Sequence, residues 1–302
     1  MSVLVVGSIA FDALETPYGK VDRTLGGAAT YFAVAASFFA PVKLVGVVGE
    51  DFRERDRAIF RGRRIDLQGL VCAPGKTFFW AGRYTDHLNE RITLQTELNV
   101  FANFDPKLPA SYCDCPYVFL ANIQPTLQLS VLRQMRRRPR LVALDTMNYW
   151  IERTPAELRR TLREVDVLVI NDGEARQLAG EHNLLRAAAR ILRMGPRTLV
   201  VKRGEYGALL MRPDSMFAVP AFPLEQVCDP TGAGDSFAGG FIGYLASVNR
   251  LNEATLRQTM VYGSVLGSFV VERFGLERLR TLTRSEIHAR ARQFLHLTRF
   301  RL

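Results

Sequence analysis

The sequence predicts an α/β fold built around a mostly parallel sheet. Short apolar runs alternate along the chain with segments whose apolar residues recur at helical spacing, and this alternation is typical of parallel strands joined by crossover helices on both sheet faces. The 302 residues, of which 48% are hydrophobic, are enough for one large α/β domain or two small ones. No internal repeat, low-complexity tract or linker divides the chain. We therefore predict a single domain over residues 1–302.

Each predicted strand is a short apolar run, and each predicted helix has apolar positions three and four residues apart. The strands are predicted at residues 3–7, 42–47, 117–121, 141–145, 165–170 and 199–202. The helices are predicted at 28–39, 127–135, 156–163, 184–194 and 233–248. Three glycines inside the last helix, Gly239, Gly240 and Gly243, each cost about 1 kcal/mol relative to alanine. They predict that a neighbouring backbone or a ligand approaches this helix closely.

One segment, residues 76–101, has no helical period. Apolar Ile92 and Leu94 alternate with polar Thr93 and Gln95, and the alternation continues to residue 100, as in a half-exposed strand. A β insertion in an α/β domain indicates a lid over a site or an oligomer surface. The alternative is a plain edge hairpin.

The run 229–240 is the most specific motif of the chain, a small-residue turn that opens directly into the last predicted helix. The first N–H groups of a helix have no internal partner and carry partial positive charge, and Gly232, Ala233 and Gly234 leave room for a phosphate to approach them. A phosphate would repel Asp235 unless that carboxylate takes a proton from an attacking hydroxyl. The run therefore predicts a phosphoryl-transfer site with Asp235 as the general base. The alternative is that Asp235 only caps or charges the first helical turn.

This run resembles the C-terminal signature of the PfkB, or ribokinase-like, carbohydrate kinase family, with Pro230 in place of the commoner residue. The resemblance extends from residue 3 to about residue 279. It implies a ribokinase-like three-layer sandwich, whose central, mostly parallel sheet is accompanied by a small β lid formed by residues 12–23 and 76–101. In the family this lid covers the sugar site, and in some members it pairs two subunits. The resemblance therefore leaves a homodimer through the lid as a possibility for this chain.

On the acceptor side, the resemblance assigns Asp12 and the pair Gly26 and Gly27 to the substrate. Asp12 follows the first predicted strand, where open α/β sheets bind ligands, and a carboxylate suits a pair of sugar hydroxyls. Most members have an asparagine four residues after the second glycine, whereas this chain has Tyr31. We expect Tyr31 to contact the substrate, and a plain core position is the alternative. Asn122, after the third predicted strand, is a further substrate candidate.

On the nucleotide side, Asn171 and Glu174 match the family's Asn-x-x-Glu motif, in which the acidic residue organises Mg²⁺ through water. Taken alone, the same pair would be a helix cap. The resemblance assigns four further residues to the nucleotide: Lys202, Gly204, Gly207 and Thr231. For Lys202, a surface position is the alternative. Some members also need a monovalent cation near the turn at 229–231, and the sequence leaves that requirement open.

The predicted function is an ATP- and Mg²⁺-dependent kinase that transfers the γ-phosphoryl group to a hydroxyl of a small sugar-like substrate: a sugar, a nucleoside or a polyol. The turn amides of residues 232–234 would stabilise the transferring group. Tyr31 leaves room for a nucleoside, so a nucleoside kinase is the alternative to a simple sugar kinase. A non-catalytic ligand sensor with a kinase fold is a more distant alternative, because a sensor needs no base at Asp235.

Composition narrows the partners further. The net charge of +10 comes from arginine clusters at 53–64, 133–140 and 278–301, which have few aromatic residues between them. We interpret them as solvated helix faces and expect no nucleic-acid partner. No apolar stretch reaches transmembrane length, so we expect a cytoplasmic protein without a membrane partner. The four cysteines and four histidines show no zinc-site spacing.

Overall fold

A computed structural model describes residues 1–86 and 88–299 of the chain. Residue 87, in the predicted lid segment, and residues 300–302, which include the end of the third arginine cluster, lie outside the described residues. The strands, in chain order, are β1 Val3–Val6, β2 Ala10–Thr16, β3 Gly19–Gly26, β4 Val42–Val48, β5 Ile65–Cys72, β6 Phe78–Tyr84, β7 Arg91–Glu97, β8 Tyr117–Leu120, β9 Leu141–Asp145, β10 Val167–Asn171, β11 Thr198–Lys202, β12 Ala208–Arg212 and β13 Ser215–Val219.

The helices, in chain order, are α1 Ala28–Ser37, α2 Glu54–Arg57, α3 Pro125–Arg133, α4 Asn148–Arg153, α5 Pro155–Leu162, α6 Asp172–Ala179, α7 Leu184–Leu192, α8 Ala233–Val248, α9 Glu253–Val270, α10 Glu277–Thr281 and α11 Arg284–Thr298. Every strand and helix predicted from the periodicity is confirmed, with boundaries that move by about two residues at most. None of these described helices combines the length and the apolar character that crossing a membrane requires.

The larger sheet has the strand order β13-β12-β11-β10-β9-β8-β1-β4-β5. The strands from β11 through β5 run parallel, and β12 and β13 add an antiparallel hairpin at one edge. The carboxyl ends of the parallel strands therefore meet at one edge of the sheet, which is where α/β proteins bind ligands. The predicted mostly parallel α/β fold is confirmed.

Helices cover both faces of this sheet. Along β1, Val3 and Val5 join a core that includes residues of α1, α8 and α9, whereas Leu4 and Val6 join a separate core with residues of α3, α5 and α7. A strand that is buried on both faces reads as a continuous apolar run, as β1 does. The molecule thus has three layers, with the sheet between two layers of helices.

The smaller sheet has the order β3-β2-β6-β7, with β2 and β6 parallel and the outer strands antiparallel to them. Both segments predicted as a lid contribute strands to it. The alternation predicted to run as far as residue 100 ends earlier, because β7 stops at Glu97 and a 3₁₀ turn begins at Asn99, whose φ is +50°. Leu98 and Val100 therefore do not belong to the strand.

Helix α8 packs unusually close to its neighbours. A Cβ on Gly239 or Gly243 would lie 2.5 Å from the Phe32 carbonyl oxygen and 2.8 Å from the Ala36 Cα of α1, respectively. A Cβ on Gly240 would lie 2.6 Å from the Tyr262 carbonyl oxygen of α9. The predicted close approach is confirmed, and the approaching group is backbone. The glycines fix α8, and with it the turn at its start, between two helices.

Candidate active site

The turn before α8 exposes backbone N–H groups at the carboxyl edge of the larger sheet. Gly232 has φ +75°, a conformation that favours glycine, and a Cβ there would collide with the Tyr31 ring. Over residues 1–86 and 88–299, the N–H groups of Gly232 and Gly234 have no hydrogen-bond acceptor, whereas the Ala233 N–H donates to the Pro230 carbonyl at 3.2 Å. Two of the three predicted amides are thus free for an anion, and the third is used within the turn.

Asp229 fixes the geometry of this turn. Its carboxylate, which is fully buried, accepts the Thr231 N–H at 2.9 Å and the Gly275 N–H at 2.8 Å. The Thr231 hydroxyl in turn donates to the Tyr84 hydroxyl of β6 at 3.1 Å. The turn is therefore tied both to the loop before α10 and to the smaller sheet.

Asp235 lies in the first turn of α8, beside the free amides. Burial, together with the negative charge of Asp145, raises the pKa of Asp235 to about 6, while the charges of Lys202 and Arg91 act in the opposite direction. A carboxyl group with this pKa is ionised at neutral pH and is a stronger base than an ordinary aspartate. These are the properties that a general base for an alcohol requires.

Lys202, at the end of β11, is enclosed by carboxylates. Its Nζ lies 3.5 Å from Asp145 Oδ2, and the side chain is only 18% exposed, so the surface alternative is wrong. Burial opposes its charge, but the carboxyls of Asp145, Glu174 and Asp235 hold the pKa of Lys202 above its ordinary value. A Cβ on Gly234 would lie 2.8 Å from Nζ, which places the ammonium group directly beside the turn.

Asp145 was not singled out by the sequence reasoning. It ends β9, its side chain is 8% exposed, and burial raises its pKa. The signal that could have found it is the one that found Asp12: a carboxylate at the carboxyl end of a parallel strand.

Asn171 and Glu174 form a capping box at the start of α6. The Asn171 side chain accepts the Glu174 N–H at 2.7 Å, and Glu174 Oε2 accepts the Asn171 N–H at 2.8 Å. Burial and the charge of Asp145 raise the pKa of Glu174 to about 7. Lys202 already offsets part of the repulsion between Asp145 and Glu174. A cation bound near these two carboxyl groups would offset the rest, so the residues fit Mg²⁺. No cluster of three His, Cys, Asp or Glu side chains that could enclose a metal occurs in the described part of the chain.

The two predicted nucleotide-facing glycines both have positive φ, +54° at Gly204 and +84° at Gly207. Gly204 touches the Asn89 side chain from the β6–β7 connection, which also donates to Glu205 at 3.4 Å. A Cβ on Gly207 would collide with the backbone of residues 219–221. Gly204 therefore lies where the smaller sheet meets the β11–β12 turn, whereas Gly207 is required by packing inside that turn.

On the acceptor side, Asp12 of β2 is 4% exposed. Burial raises the pKa of Asp12 to about 8, and the charges of Asp229 and Asp235 add to the effect. Gly26 leaves the space that the Asp12 carboxylate occupies, because a Cβ there would collide with it. Gly27 has φ +92° and packs on the backbone that connects β1 to β2. The two glycines thus position Asp12.

Tyr31 of α1 is 1% exposed, and its ring supports Gly232. Its hydroxyl has no hydrogen-bond partner within the described residues. Burial, followed by the charges of Asp229 and Asp12, raises the pKa of Tyr31 well above its usual value, so the hydroxyl keeps its hydrogen. The ring is part of the core, as in the alternative considered from the sequence.

Asn122, at the end of β8, makes its contacts within the protein. Its Oδ1 accepts the Trp150 Nε1–H at 2.9 Å, and its Nδ2 lies 3.1 Å from Met147 Sδ. Asn122 therefore holds the aromatic side chain of α4, where Tyr149 packs edge-to-face on Trp150 with ring centroids 4.8 Å apart.

Arg91 is a second residue that the sequence reasoning missed. It pairs with Tyr84 across β6 and β7, so the two side chains share the face of the smaller sheet that meets the turn. Its positive charge counteracts the rise in the pKa of Asp145, Glu174 and Asp235 alike. Arg91 thus brings positive charge from the smaller sheet to the carboxylates of the larger one.

Comparison with known proteins agrees with this geometry. The family model described as pfkB family carbohydrate kinase matches residues 1–281. A cytidine kinase from Thermococcus kodakarensis is 31% identical over 80% of this chain and 87% of its own length. A nucleoside kinase from Methanothermobacter thermautotrophicus is 25% identical over 91% of each chain.

Among solved structures, a putative ribokinase II from E. coli in complex with ATP and Mg²⁺ superposes with a TM-score of 0.78 at 18% identity, over 97% of this chain and 99% of that one. At this identity the likeness concerns the fold, and it confirms the ribokinase-like architecture. Since the family model covers most of the sequence, the chain belongs to the pfkB family of carbohydrate kinases.

Proposed function

We propose that this kinase phosphorylates a nucleoside, with Asp235 as the general base. Membership of the family makes the chain a phosphotransferase that uses ATP and Mg²⁺ and acts on a hydroxyl of a small sugar-like substrate. The observation that carries the assignment of the base is local. Asp235, whose pKa is about 6, stands at the start of α8 beside two N–H groups that have no acceptor among the residues the structure describes.

The chain's own groups divide the work. Asp12 accepts hydrogen bonds from hydroxyl groups of the substrate, and Asp235 takes the proton of the attacking hydroxyl. The N–H groups of Gly232 and Gly234 stabilise the negative charge of the transferring phosphoryl group, because they are held in place before the reaction begins. Lys202 lies beside the same turn and adds a positive charge. Asn171 lies at the nucleotide side of this arrangement.

Bound Mg²⁺ would neutralise phosphate charge, and Glu174 with its neighbour Asp145 would hold it through water. Thr231 and Gly204 flank the turn on the side of the smaller sheet. That sheet acts as a lid in this proposal, since exclusion of water prevents ATP hydrolysis. Its contacts with the turn, Thr231 to Tyr84 and Gly204 to Asn89, support that role.

A nucleoside acceptor is favoured over a simple sugar by the relatives that match most of the chain. The relative that is 31% identical is a cytidine kinase, and the one that is 25% identical is a nucleoside kinase. A panel of nucleosides, sugars and polyols assayed for ADP release identifies the acceptor. Phosphorylation of simple sugars alone would contradict the nucleoside assignment while leaving the kinase activity intact.

The variant Asp235→Asn tests the base. It keeps the shape of the site but cannot accept the proton, so kcat should fall by roughly 10²- to 10⁴-fold while the binding of MgATP, measured by calorimetry, is retained. Glu253→Gln is the matched control, because Glu253 is also an acidic residue in a first helical turn, that of α9. If Asp235→Asn retains full turnover, the carboxylate only charges the helix. ATP consumption that appears only with an added alcohol supports the kinase, whereas no ATP consumption with any alcohol of the panel would favour the sensor alternative.

Two finer predictions concern ions and location. The sequence leaves the requirement for a monovalent cation near the turn at 229–231 open. Both carboxylate oxygens of Asp229 accept a backbone N–H, and each keeps a further lone pair for such a cation. Activity in potassium chloride compared with tetramethylammonium chloride checks it. The cytoplasmic location expected from the sequence also stays a prediction.

We further propose that two copies associate through the smaller sheet. Its last strand, β7, is an edge strand, and Ile92 and Leu94 on it are 49% and 52% exposed. Unpaired edges and exposed apolar side chains are features that proteins usually cover.

A further inference from the structure

We propose that a groove between the ends of α3 and α5 is a second binding site, which takes an organic phosphate: an anion with two or more negative charges joined to an apolar group. The groove has a volume of about 460 Å³, which is within the range of small-molecule pockets. Six residues line it: Leu129, Leu132, Arg133, Arg160, Arg163 and Glu164. None of them belongs to the kinase site, and the inference does not depend on the proposed function.

The groove and the kinase site lie at opposite edges of the larger sheet. Helix α3 begins shortly after β8, at the carboxyl edge, and runs back toward the amino edge, so Arg133, its last residue, lies away from the kinase site. Helix α5 likewise ends at Leu162, shortly before β10 begins at Val167. A ligand in the groove therefore leaves the kinase site free.

The three guanidinium groups of the groove have no carboxylate partner. Arg133, Arg160 and Arg163 are exposed, and across residues 1–86 and 88–299 their side chains make no salt bridge and donate no hydrogen bond. Since the three side chains line one concave surface, their positive charges add up there. Clefts lined by charge of one sign concentrate counter-ions, so the groove attracts anions.

The carboxylates near the groove pair with other arginines. Arg138 Nη2 lies 3.0 Å from Asp166 Oδ1, and Arg136 Nη1 lies 2.8 Å from Asp114 Oδ2. Glu164, the one carboxylate among the six lining residues, has its Oε2 4.0 Å from Arg138 Nη1. The positive charge of the groove is therefore not balanced by the carboxylates around it.

The lining also indicates what kind of anion fits. A guanidinium group donates two parallel hydrogen bonds to a phosphate, and three such groups suit an anion with more than one negative charge. Leu129 and Leu132 are only partly buried, and they give the groove an apolar wall that an inorganic anion would leave uncovered. The alternative is that the arginines only stabilise the negative ends of α3 and α5, a role that needs no ligand.

Calorimetric titration with dimethylallyl diphosphate tests the site, using protein saturated with the Mg²⁺ complex of a non-hydrolysable ATP analogue. The wild type should bind a single equivalent. The double variant Arg160→Gln, Arg163→Gln should bind roughly 10- to 100-fold more weakly, because it removes two groups that make charge-assisted hydrogen bonds. Inorganic diphosphate should bind the wild type at least about threefold more weakly than the alkyl diphosphate, because it does not cover the leucines.

The double variant Arg153→Gln, Arg159→Gln is the matched control. It also removes two exposed arginines, from α4 and α5, that do not line the groove, so it changes the net charge equally. It should bind the alkyl diphosphate as the wild type does, and neither double variant should change kcat/KM of the kinase reaction. Equal weakening in both variants would show that only total charge matters, and it would overturn the inference. Absence of binding to the wild type, or equal binding of the two diphosphates, would overturn it as well.

Discussion

Two aspartates of the same site are in different electrostatic environments. Asp12 is deeply buried beside Asp229 and Asp235, and these factors raise the pKa of Asp12 to about 8. Asp235 is also affected by burial, but Lys202 and Arg91 offset part of the effect, and its pKa is about 6. Environments that separate the pKa values of paired carboxyl groups are typical of sites that perform proton transfer.

The pH dependence of catalysis should show the pKa of Asp235. The base must be unprotonated to accept the hydroxyl proton, so kcat/KM for the acceptor should rise with pH up to about pH 6 and then level off. A profile of kcat/KM from about pH 4.5 to about pH 8, recorded at constant ionic strength, measures this pKa. A profile that is flat across this interval would exclude Asp235 as the titrating base.

The pH dependence of stability should show Asp12. The pKa of Asp12 is about 8 in the folded protein and 3.8 when the side chain is exposed. As pH rises, the unfolded chain therefore loses this proton before the folded protein does. The free energy of unfolding consequently falls as pH rises from 3.8 to about 8. Asp12→Asn cannot ionise. It should therefore raise the free energy of unfolding at high pH, by on the order of 5 kcal/mol, and have little effect near pH 4.

Urea denaturation at both pH values measures this difference. Asp214→Asn, in the exposed turn between β12 and β13, is the control and should change the free energy of unfolding little at either pH. An Asp12→Asn protein that is less stable than the wild type at high pH would contradict the assignment. The same variant should lose kinase activity, so function and stability oppose each other at this position.

Among the elements, the smaller sheet presents different chemistry on its two faces. Tyr84 and Arg91 are cross-strand neighbours on the face that meets the turn. Arg83, the neighbour of Tyr84 in the chain, points to the other face and pairs with Glu15 at 3.0 Å. Alternation along a strand thus places one arginine over the site and the other on the outside.

Removing the inward arginine should slow catalysis and shift its pH profile. Arg91→Ala takes away a positive charge that lowers the pKa of Asp235, so the rise of kcat/KM should move above pH 6, and kcat should fall roughly tenfold or more. Arg83→Ala removes the same side chain from the outer face and should leave both unchanged. Identical pH profiles for Arg91→Ala and the wild type would show that Arg91 does not act on the base.

The elements with a strong apolar period were predictable, and those with mixed polarity were not. The buried parallel strands and the helix after Gly232 follow directly from the sequence. Strand β5 at the sheet edge and the β12–β13 hairpin are short and mix buried with partly exposed residues, so they lack the continuous apolar run that marks the central strands. Their pairing depends on neighbours distant in the chain, which a local pattern does not contain.

The site was predictable where its residues lie inside a motif. Asp12, Glu174, Lys202 and Asp235 all follow strands or turns that the sequence marks. Arg91 was missed because an arginine on an exposed strand looks like ordinary surface, and only the cross-strand register with Tyr84 shows which face it occupies. The capping role of Asn171 and the packing roles of the glycines likewise depend on three-dimensional neighbours.

For the whole molecule, the charge of the site opposes that of the surface. The chain carries a net charge of +10, yet five carboxyl groups converge around the turn: Asp12, Asp145, Glu174, Asp229 and Asp235. A basic exterior attracts anionic nucleotides by long-range steering. The repulsion among the five carboxylates of the site then favours binding of the Mg²⁺ ion that accompanies the nucleotide.

The proposed dimer through the smaller sheet is a property of the whole molecule. Sedimentation velocity at micromolar protein should show a dimer for the wild type and a monomer for the double variant Ile92→Lys, Leu94→Lys, because lysines on an edge strand oppose pairing. Leu185→Lys on α7, at a leucine 58% exposed, is the control and should leave the dimer intact. A wild type that sediments as a monomer at all concentrations would contradict the proposal.

The proposed base, Asp235, and the carboxylate proposed to bind the substrate, Asp12, belong to different parts of the fold. Asp12 belongs to β2 of the smaller sheet, whereas Asp235 belongs to α8, which the glycine contacts lock against α1 and α9. Residues 7–9 and Gly27 connect β2 and β3 to β1 and α1, and residues 73–77 and 98–116 connect β6 and β7 to β5 and β8. A swing of the smaller sheet would therefore turn on these four connections. An outward swing would carry Asp12 away from Asp235. The motion that releases the product would then also separate the catalytic groups. The open enzyme would therefore not hydrolyse ATP in the absence of an acceptor.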